Sequence, residues 1–290
     1  MEVFLNQDIC MGLLKICPVE TVYALCVVLL SNDQLRSCGA AEVLWNQLIQ
    51  LHFGNSGASY THVALPMIPL LCRKKMVADG SLEVSKSCRE FMETCIERNV
   101  FASMSVIKGD IGQVTNIGTK KLDCLIFPTN SSLISFGIGA AGAVFNRAGA
   151  ELPTLLRSPT YRNIRRYTSD AVATPGFKSG VDHLIHCVGP STNRPDCCVT
   201  LYRTYYNAFQ RAREIGAICI AVASISTGSL GFPVPEAARI AMRAYRDYIK
   251  AYRWRALLCF VCLDNRVYDA MQAERSVLLH HFNKGSVELP

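Results

Sequence analysis

From about Met104 onward, short apolar runs alternate with longer amphipathic stretches, and this alternation constrains the fold more than any other feature of the chain. The runs at Met104 to Ile107, Leu122 to Phe127, Ala171 to Thr174, His183 to Val188, Ile218 to Ala223 and Ala256 to Leu263 have the length and β-branched content of strands. Between and after them, Ala140 to Ala148, Val199 to Glu214, Pro235 to Lys250 and Val267 to His281 read as helices. Strands that are apolar throughout need cover on both faces, so the pattern predicts an α/β domain with helices on each side of its sheet.

The first hundred residues follow a different grammar. Segments at Glu20 to Leu30, Ala40 to His52, Val63 to Met76 and Glu83 to Arg98 read as helices with no strand between them, and Pro66 and Pro69 mark a start or break in the third. Val43, Leu44, Leu48, Ile49 and Leu51 recur at helical spacing. A small all-α domain over residues 1–100 followed by an α/β domain over 101–290 is the expected organisation.

Composition excludes several classes. With 50% hydrophobic and 18% charged residues the chain can bury a sizeable core, which rules out disorder as its main state. The longest apolar run, Val22 to Leu30, falls short of a membrane-spanning helix. Glu2 and Asp8 stand where a secretory leader would be basic and then apolar, so an intracellular protein of cytoplasm or nucleus is expected. Its 14 cysteines, scattered through apolar stretches, are then expected to be buried free thiols. The net charge of +7 resides after residue 100, where 22 basic side chains face 13 acidic ones, against 8 and 10 before it. That balance suits an anionic partner. No basic stripe interleaved with aromatics is present, so direct nucleic-acid binding is not expected.

Several strands end on small or polar residues: Gly109-Asp110-Ile111, Pro128-Thr129-Asn130, and the turn from Ser226 through Thr227, Gly228, Ser229, Leu230, Gly231 and Phe232 to Pro233. Ligands of open α/β sheets bind outside such carboxyl ends. The last turn runs into a helix, and Gly137, Gly139 and Gly142 mark another turn before a helix. Backbone N–H groups at these places could cradle two phosphates without a charged side chain.

Taken together, these motifs resemble the macrodomain family over about residues 104–274. The resemblance rests on Gly109-Asp110-Ile111, Pro128 to Leu133, Gly139 to Val144 with Arg147-Ala148-Gly149, Thr174-Pro175-Gly176-Phe177, His186 to Pro190, and the Ser226 to Pro233 turn with Glu236-Ala237-Ala238, in the family's order. It implies a three-layer α/β/α domain with a mixed central sheet that binds ADP-ribose, free or attached to protein, with no metal or cofactor required. It implies further that Asp110 accepts a hydrogen bond from the adenine amino group beside the Ile111 N–H, and that Asn130 contacts the distal ribose. The loops of Gly137, Ile138, Gly139, Ala140 and Ala141 and of Ser226 to Phe232 would enclose the diphosphate. As an enzyme, such a domain would remove mono-ADP-ribose from proteins or deacylate O-acyl-ADP-ribose, with Asn130 as the candidate catalytic residue beside a substrate-held water in the loop from Phe136 to Ala141.

Three departures from the family pattern cluster around the distal ribose. Ala141 stands where the hydrolase branch has an acidic residue, although similar viral macrodomains also carry alanine there. Ile138 interrupts the glycine run with a Cβ, and one extra residue follows Asn130. Leu230 replaces the aromatic that packs on the ribose, leaving Phe232 as the nearest ring. His186, in an apolar strand, is read as a core residue. Cys259 and Cys262 lie in a buried strand with no second Cys/His pair at ligand spacing, so no metal site is expected. The segment Arg157 to Asp170, dense in arginine and tyrosine, reads as a loop.

Within the helical region, Cys17-Pro18-Val19-Glu20, Leu30 to Cys38 and Trp45 resemble an F-box over about residues 16–54. That resemblance implies a Skp-type adaptor as partner and an F-box-like role in bringing ADP-ribosylated proteins to a ubiquitin ligase. A plain helical extension accounts for the same pattern.

Overall fold

The computed structural model describes residues 7–31, 42–54, 85–135 and 137–283. The expected helix at Val63 to Met76, the Asn32 to Cys38 part of the F-box-like pattern and Phe136 lie outside them. Two compact units emerge, one from the residues up to Ala102 joined by the segment beginning at Val277, the other Ser103–Ser276.

The first unit is helical among the described residues: α1 (Gln7–Ile16), α2 (Val19–Ser31), α3 (Glu42–Phe53) and most of α4 (Lys86–Ser103). Pro18 immediately precedes α2, where its missing N–H costs nothing. Trp45, Leu48 and Phe53 of α3 meet Phe91, Met92 and Cys95 of α4 in one core. The aromatic contacts are close, with Trp45 5.5 Å and Phe53 5.3 Å from Phe91. Arg98, 2% exposed, donates from Nε to the Leu279 carbonyl at 2.8 Å, and Asn283 N–H donates to Phe53 O at 3.0 Å. The end of the chain thus completes a core begun some 180 positions earlier, which no local pattern announces.

The second unit has β1 (Ser105–Lys108), a small antiparallel pair β2 (Asn116–Ile117) and β3 (Lys120–Lys121), then β4 (Cys124–Thr129), β5 (Ala171–Pro175), β6 (His183–Val188), β7 (Cys219–Ala223) and β8 (Leu257–Cys262). Its helices are α5 (Gly139–Ala148), α6 (Glu151–Leu156), α7 (Pro159–Arg162), α8 (Cys197–Glu214), α9 (Val234–Tyr252) and α10 (Asn265–His280), whose last turns belong to the first unit. The main sheet runs β1-β8-β7-β4-β6-β5; every neighbouring pair is parallel except β5 with β6. This is the mixed sheet of a three-layer α/β/α macrodomain fold.

Alternation along the strands explains the layers. Leu125, Phe127, Ala221, Ala223, Cys259 and Val261 point to one face and pack with Val144, Ala148 and Leu152 of α5 and α6. On the other face Phe260 meets Tyr205 of α8, and Phe209 meets Tyr245 of α9. Both faces are covered, so β7 is buried at every position. The boundaries expected from sequence hold to within a few residues. The Arg157 to Asp170 segment differs, because Pro159 starts the short helix α7 within it.

Candidate functional site

Chain direction locates a crevice. The connection out of β4 runs toward β6, whereas the connection out of β7 runs toward β8, and β4 and β7 are neighbours. The strand order therefore reverses between them, and the loops after β4 and β7 diverge at their carboxyl ends. The parallel strands bring Asp110 after β1, Leu263 after β8, Ser226 to Phe232 after β7 and Asn130 after β4 to this one edge.

Asp110 closes a tight turn, with Oδ1 accepting from the Gly112 N–H at 2.8 Å and its carbonyl accepting from the Gln113 N–H at 2.9 Å. Its Oδ2 has no protein partner among the described residues and the side chain is half-buried, so one carboxylate oxygen is presented to a ligand. Ile111 beside it is buried. Gly112 allows this turn to lie against α5, where a Cβ would stand 3.0 Å from the Ala143 Cβ. Arg147 fastens the same contact from α5 by donating from Nη1 to the carbonyls of Val114 at 2.6 Å and Ile111 at 3.3 Å, and from Nε to that of Ser179. Burial lowers its pKa, so the cation stands on these carbonyls rather than on a carboxylate.

The β7 loop is held in an unusual shape. Ser226 adopts φ 66°, a left-handed conformation that costs a side-chain-bearing residue about 1–2 kcal/mol. Its carbonyl accepts from Phe232 N–H at 3.0 Å, and Gly228 O accepts from Gly231 N–H at 2.9 Å. The N–H groups of Thr227, Gly228, Ser229 and Leu230 have no partner among the described residues, and α9 begins just beyond. Such a run of free donors at a curved loop forms an anion cradle. Phe232 is 3% exposed, so its ring belongs to the core and the half-buried Leu230 is the larger side chain offered at the loop surface. Gly189 after β6 carries the neighbouring crossing: a Cβ there would stand 2.5 Å from Ser226 Oγ, so the ends of β6 and β7 meet over the end of β4.

On the β4 side, the Asn130 side chain organises its own loop. Oδ1 accepts from the Ser132 N–H at 3.0 Å and the Ile134 N–H at 3.1 Å, while Nδ2 donates to the Ile134 carbonyl at 2.7 Å. Leu133, buried at φ 55°, turns the chain back. Gly137 and Gly139 take φ 79° and 63°, and α5 starts at Gly139 with Ile138 as its cap. The N–H groups of Gly139, Ala140 and Ala141 lie in the first turn without a partner among the described residues, a second set of free donors at a helix N-terminus. Gly142 is required because a Cβ would overlap the Gly137 carbonyl group. Ile138, at 74% exposed, projects into solvent, so its Cβ does not fill the glycine loop.

His186 is fully buried beside Phe127 and Phe145, with Nε2 3.0 Å from Thr174 Oγ1 and no partner for Nδ1. Burial, helped by Arg166, lowers its pKa to about 3, so the ring is neutral and packs as core. Cys259 and Cys262 are buried in β8, and no group of three His, Cys, Asp or Glu among the described residues is arranged to hold a metal ion. Reading the sequence by motif missed two features of the edge, Gly189 and the buried, unpartnered Oγ1 of Thr129. The Gly-Pro pair after β6 was the available signal for the first.

Comparison with known proteins agrees with this architecture. The sequence model of the Macro domain matches residues 126–241. An O-acetyl-ADP-ribose deacetylase of Salmonella newport is 32% identical over 163 residues, 56% of this chain and 87% of the relative. Among solved structures, the Oceanobacillus iheyensis macrodomain with ADP superposes with a TM-score of 0.54 at 27% identity, covering 60% of this chain and 90% of that one. The Trypanosoma brucei macrodomain in complex with ADP-ribose gives a TM-score of 0.50 at 25% identity, covering 60% and 69%. The chain belongs to the macrodomain family.

Proposed function

We propose that the crevice binds ADP-ribose, free or linked to protein, without a metal or cofactor. The observation that carries this reading is the pair of free N–H sets, Thr227 to Leu230 and Gly139 to Ala141, at one sheet edge with the open Asp110 oxygen. Two backbone cradles suit a diphosphate, and a carboxylate at one end suits an adenine amino group. Solved relatives hold ADP and ADP-ribose, which supports the same ligand here. Calorimetric titration of ADP-ribose into the full chain and into Asp110→Ala tests it. Loss of one charged acceptor is expected to cost about 1.5–3 kcal/mol of affinity; an unweakened variant would remove Asp110 from the adenine contact.

Hydrolysis of an acyl or protein-linked ADP-ribose is the second reading, favoured by the deacetylase relative. Asn130 carries no titratable group and its amide is engaged in its loop, so its part would be to position the distal ribose and the water near it. Release of ADP-ribose from a modified protein, slowed in Asn130→Ala, supports this reading, and an unchanged rate would exclude Asn130 from it. The free thiols of the described cysteines fit an intracellular setting in cytoplasm or nucleus. The F-box-like adaptor role rests on Pro18 ahead of α2 and the buried Trp45 of α3, and co-purification with a Skp-type protein tests it. Among the described residues no helix is long and apolar enough to cross a membrane.

A further inference from the structure

The row of binding positions along the sheet edge continues past Asn130. Next to β4 lies β6, whose last residue Val188 is paired with Thr129. The Val188 carbonyl accepts from Ser169 N–H at 2.8 Å, which lays the loop of residues 163–170 over the end of β6. Between that loop, Ser131 and the start of α8 is a cavity of about 440 Å³, large enough for a nucleotide.

Its walls are cationic. Arg165, Arg166, Arg194 and Arg203 line it against a single carboxylate, Asp196, which is taken by Arg194 at 3.4 Å and by Thr200 at 3.0 Å. Arg166 is 9% exposed; its Nη atoms donate to the Ile164 and Tyr161 carbonyls, and its Nε has no acceptor. A buried guanidinium fixed by carbonyls and short of one acceptor is a standing invitation to an anion. Arg165 and Arg203 are exposed and have no carboxylate partner among the described residues. Tyr167, 58% exposed, has Arg165 5.0 Å above its ring, a planar surface of the kind on which nucleobases stack.

Adenine at β1, diphosphate between β7 and α5 and distal ribose at β4 would direct whatever is attached to the distal ribose C1″ toward β6. We propose that this cavity receives the adenosine diphosphate of a second ADP-ribose unit joined at that carbon, so that the chain prefers the end of an ADP-ribose polymer to a single unit. The proposal rests on the ADP-ribose reading of the crevice. The arginines meet the second diphosphate, and Tyr167 with Arg165 meets the second base. An acidic peptide at C1″ would use the charge but not the aromatic surface.

Calorimetry on the full chain with ADP-ribose, a two-unit oligomer and a mono-ADP-ribosylated acidic peptide, in wild type and in R165E/R203E, tests this. The two-unit ligand is expected to bind about tenfold or more tightly than ADP-ribose, the margin of one or two added charge-assisted hydrogen bonds. The double variant should lose that margin and hold ADP-ribose with wild-type affinity. Equal affinity for one and two units, or a margin that survives in the variant, overturns the proposal. So does a gain made by the peptide instead of the two-unit ligand. If ADP-ribose itself fails to bind, the crevice reading falls and this proposal falls with it, an outcome distinct from the others because the one-unit titration alone reveals it.

Discussion

His186 and Asn130 sit at neighbouring points of the sheet edge and respond to opposite demands. His186 is held neutral by burial, with its pKa lowered to about 3. In the unfolded chain the ring protonates near 6.5, so the unfolded state binds the extra proton between those values and stability falls as the pH drops through that window. Between pH 6.5 and 5 the loss from this ring is about 2 kcal/mol. Hydrogen exchange of β4 and β6 amides at the two pH values should show it, and His186→Gln should flatten it. His52, in the first unit, is lowered to about 4 chiefly by burial and adds a loss of the same sign there. Asn130 spends its amide on its own loop. Asn130→Asp keeps the acceptor for Ser132 and Ile134 and gives up the donor, so it should weaken ADP-ribose binding less than Asn130→Ala. Equal losses in calorimetry would show that the loop bonds to Oδ1 do not matter.

The α5 entry decides whether the second set of donors exists. Gly142 must lack a Cβ because Gly137 crosses it, and Gly137 and Gly139 both need left-handed backbone. Gly142→Ala is expected to displace the Gly137 turn at a cost of about 1–3 kcal/mol. The effect should appear mainly as lost ADP-ribose affinity, since the displaced turn is exposed while Val144 and Ala148 below remain packed. A variant that unfolds outright, seen by thermal denaturation, would place Gly142 in the core instead. At this scale the sequence was informative where periodicity acts: strands apolar throughout, helices at 3.6 spacing and glycines before helices all announced themselves. It was silent where geometry depends on crossings between distant segments. Nothing around Phe232 distinguishes a ring over the crevice from one in the core, and nothing around Ile138 says that its side chain turns outward. The β2 and β3 pair was also invisible, since strands of two residues carry no period.

On the scale of the molecule, the division into units cuts across chain order. The segment from Val277 is counted with the first unit, where the Leu279 carbonyl receives the buried Arg98 and Phe282 lies 5.8 Å from Phe101. A chain ended at Ser276 would strip that carbonyl from a guanidinium 2% exposed, a change expected to cost the helical unit about 3 kcal/mol or more. Hydrogen exchange along α4 should rise in that chain while β4, β6 and β7 stay protected; uniform protection would show the segment to be dispensable.

The central claim is that backbone donors of two loops at one sheet edge, and not charged side chains, hold the diphosphate. Amide chemical shifts followed during titration with ADP-ribose test it most directly. The account predicts that the Thr227 to Leu230 and Gly139 to Ala141 amides shift together and saturate at the same ligand concentration. Saturable binding that leaves both sets of amides unmoved would contradict it.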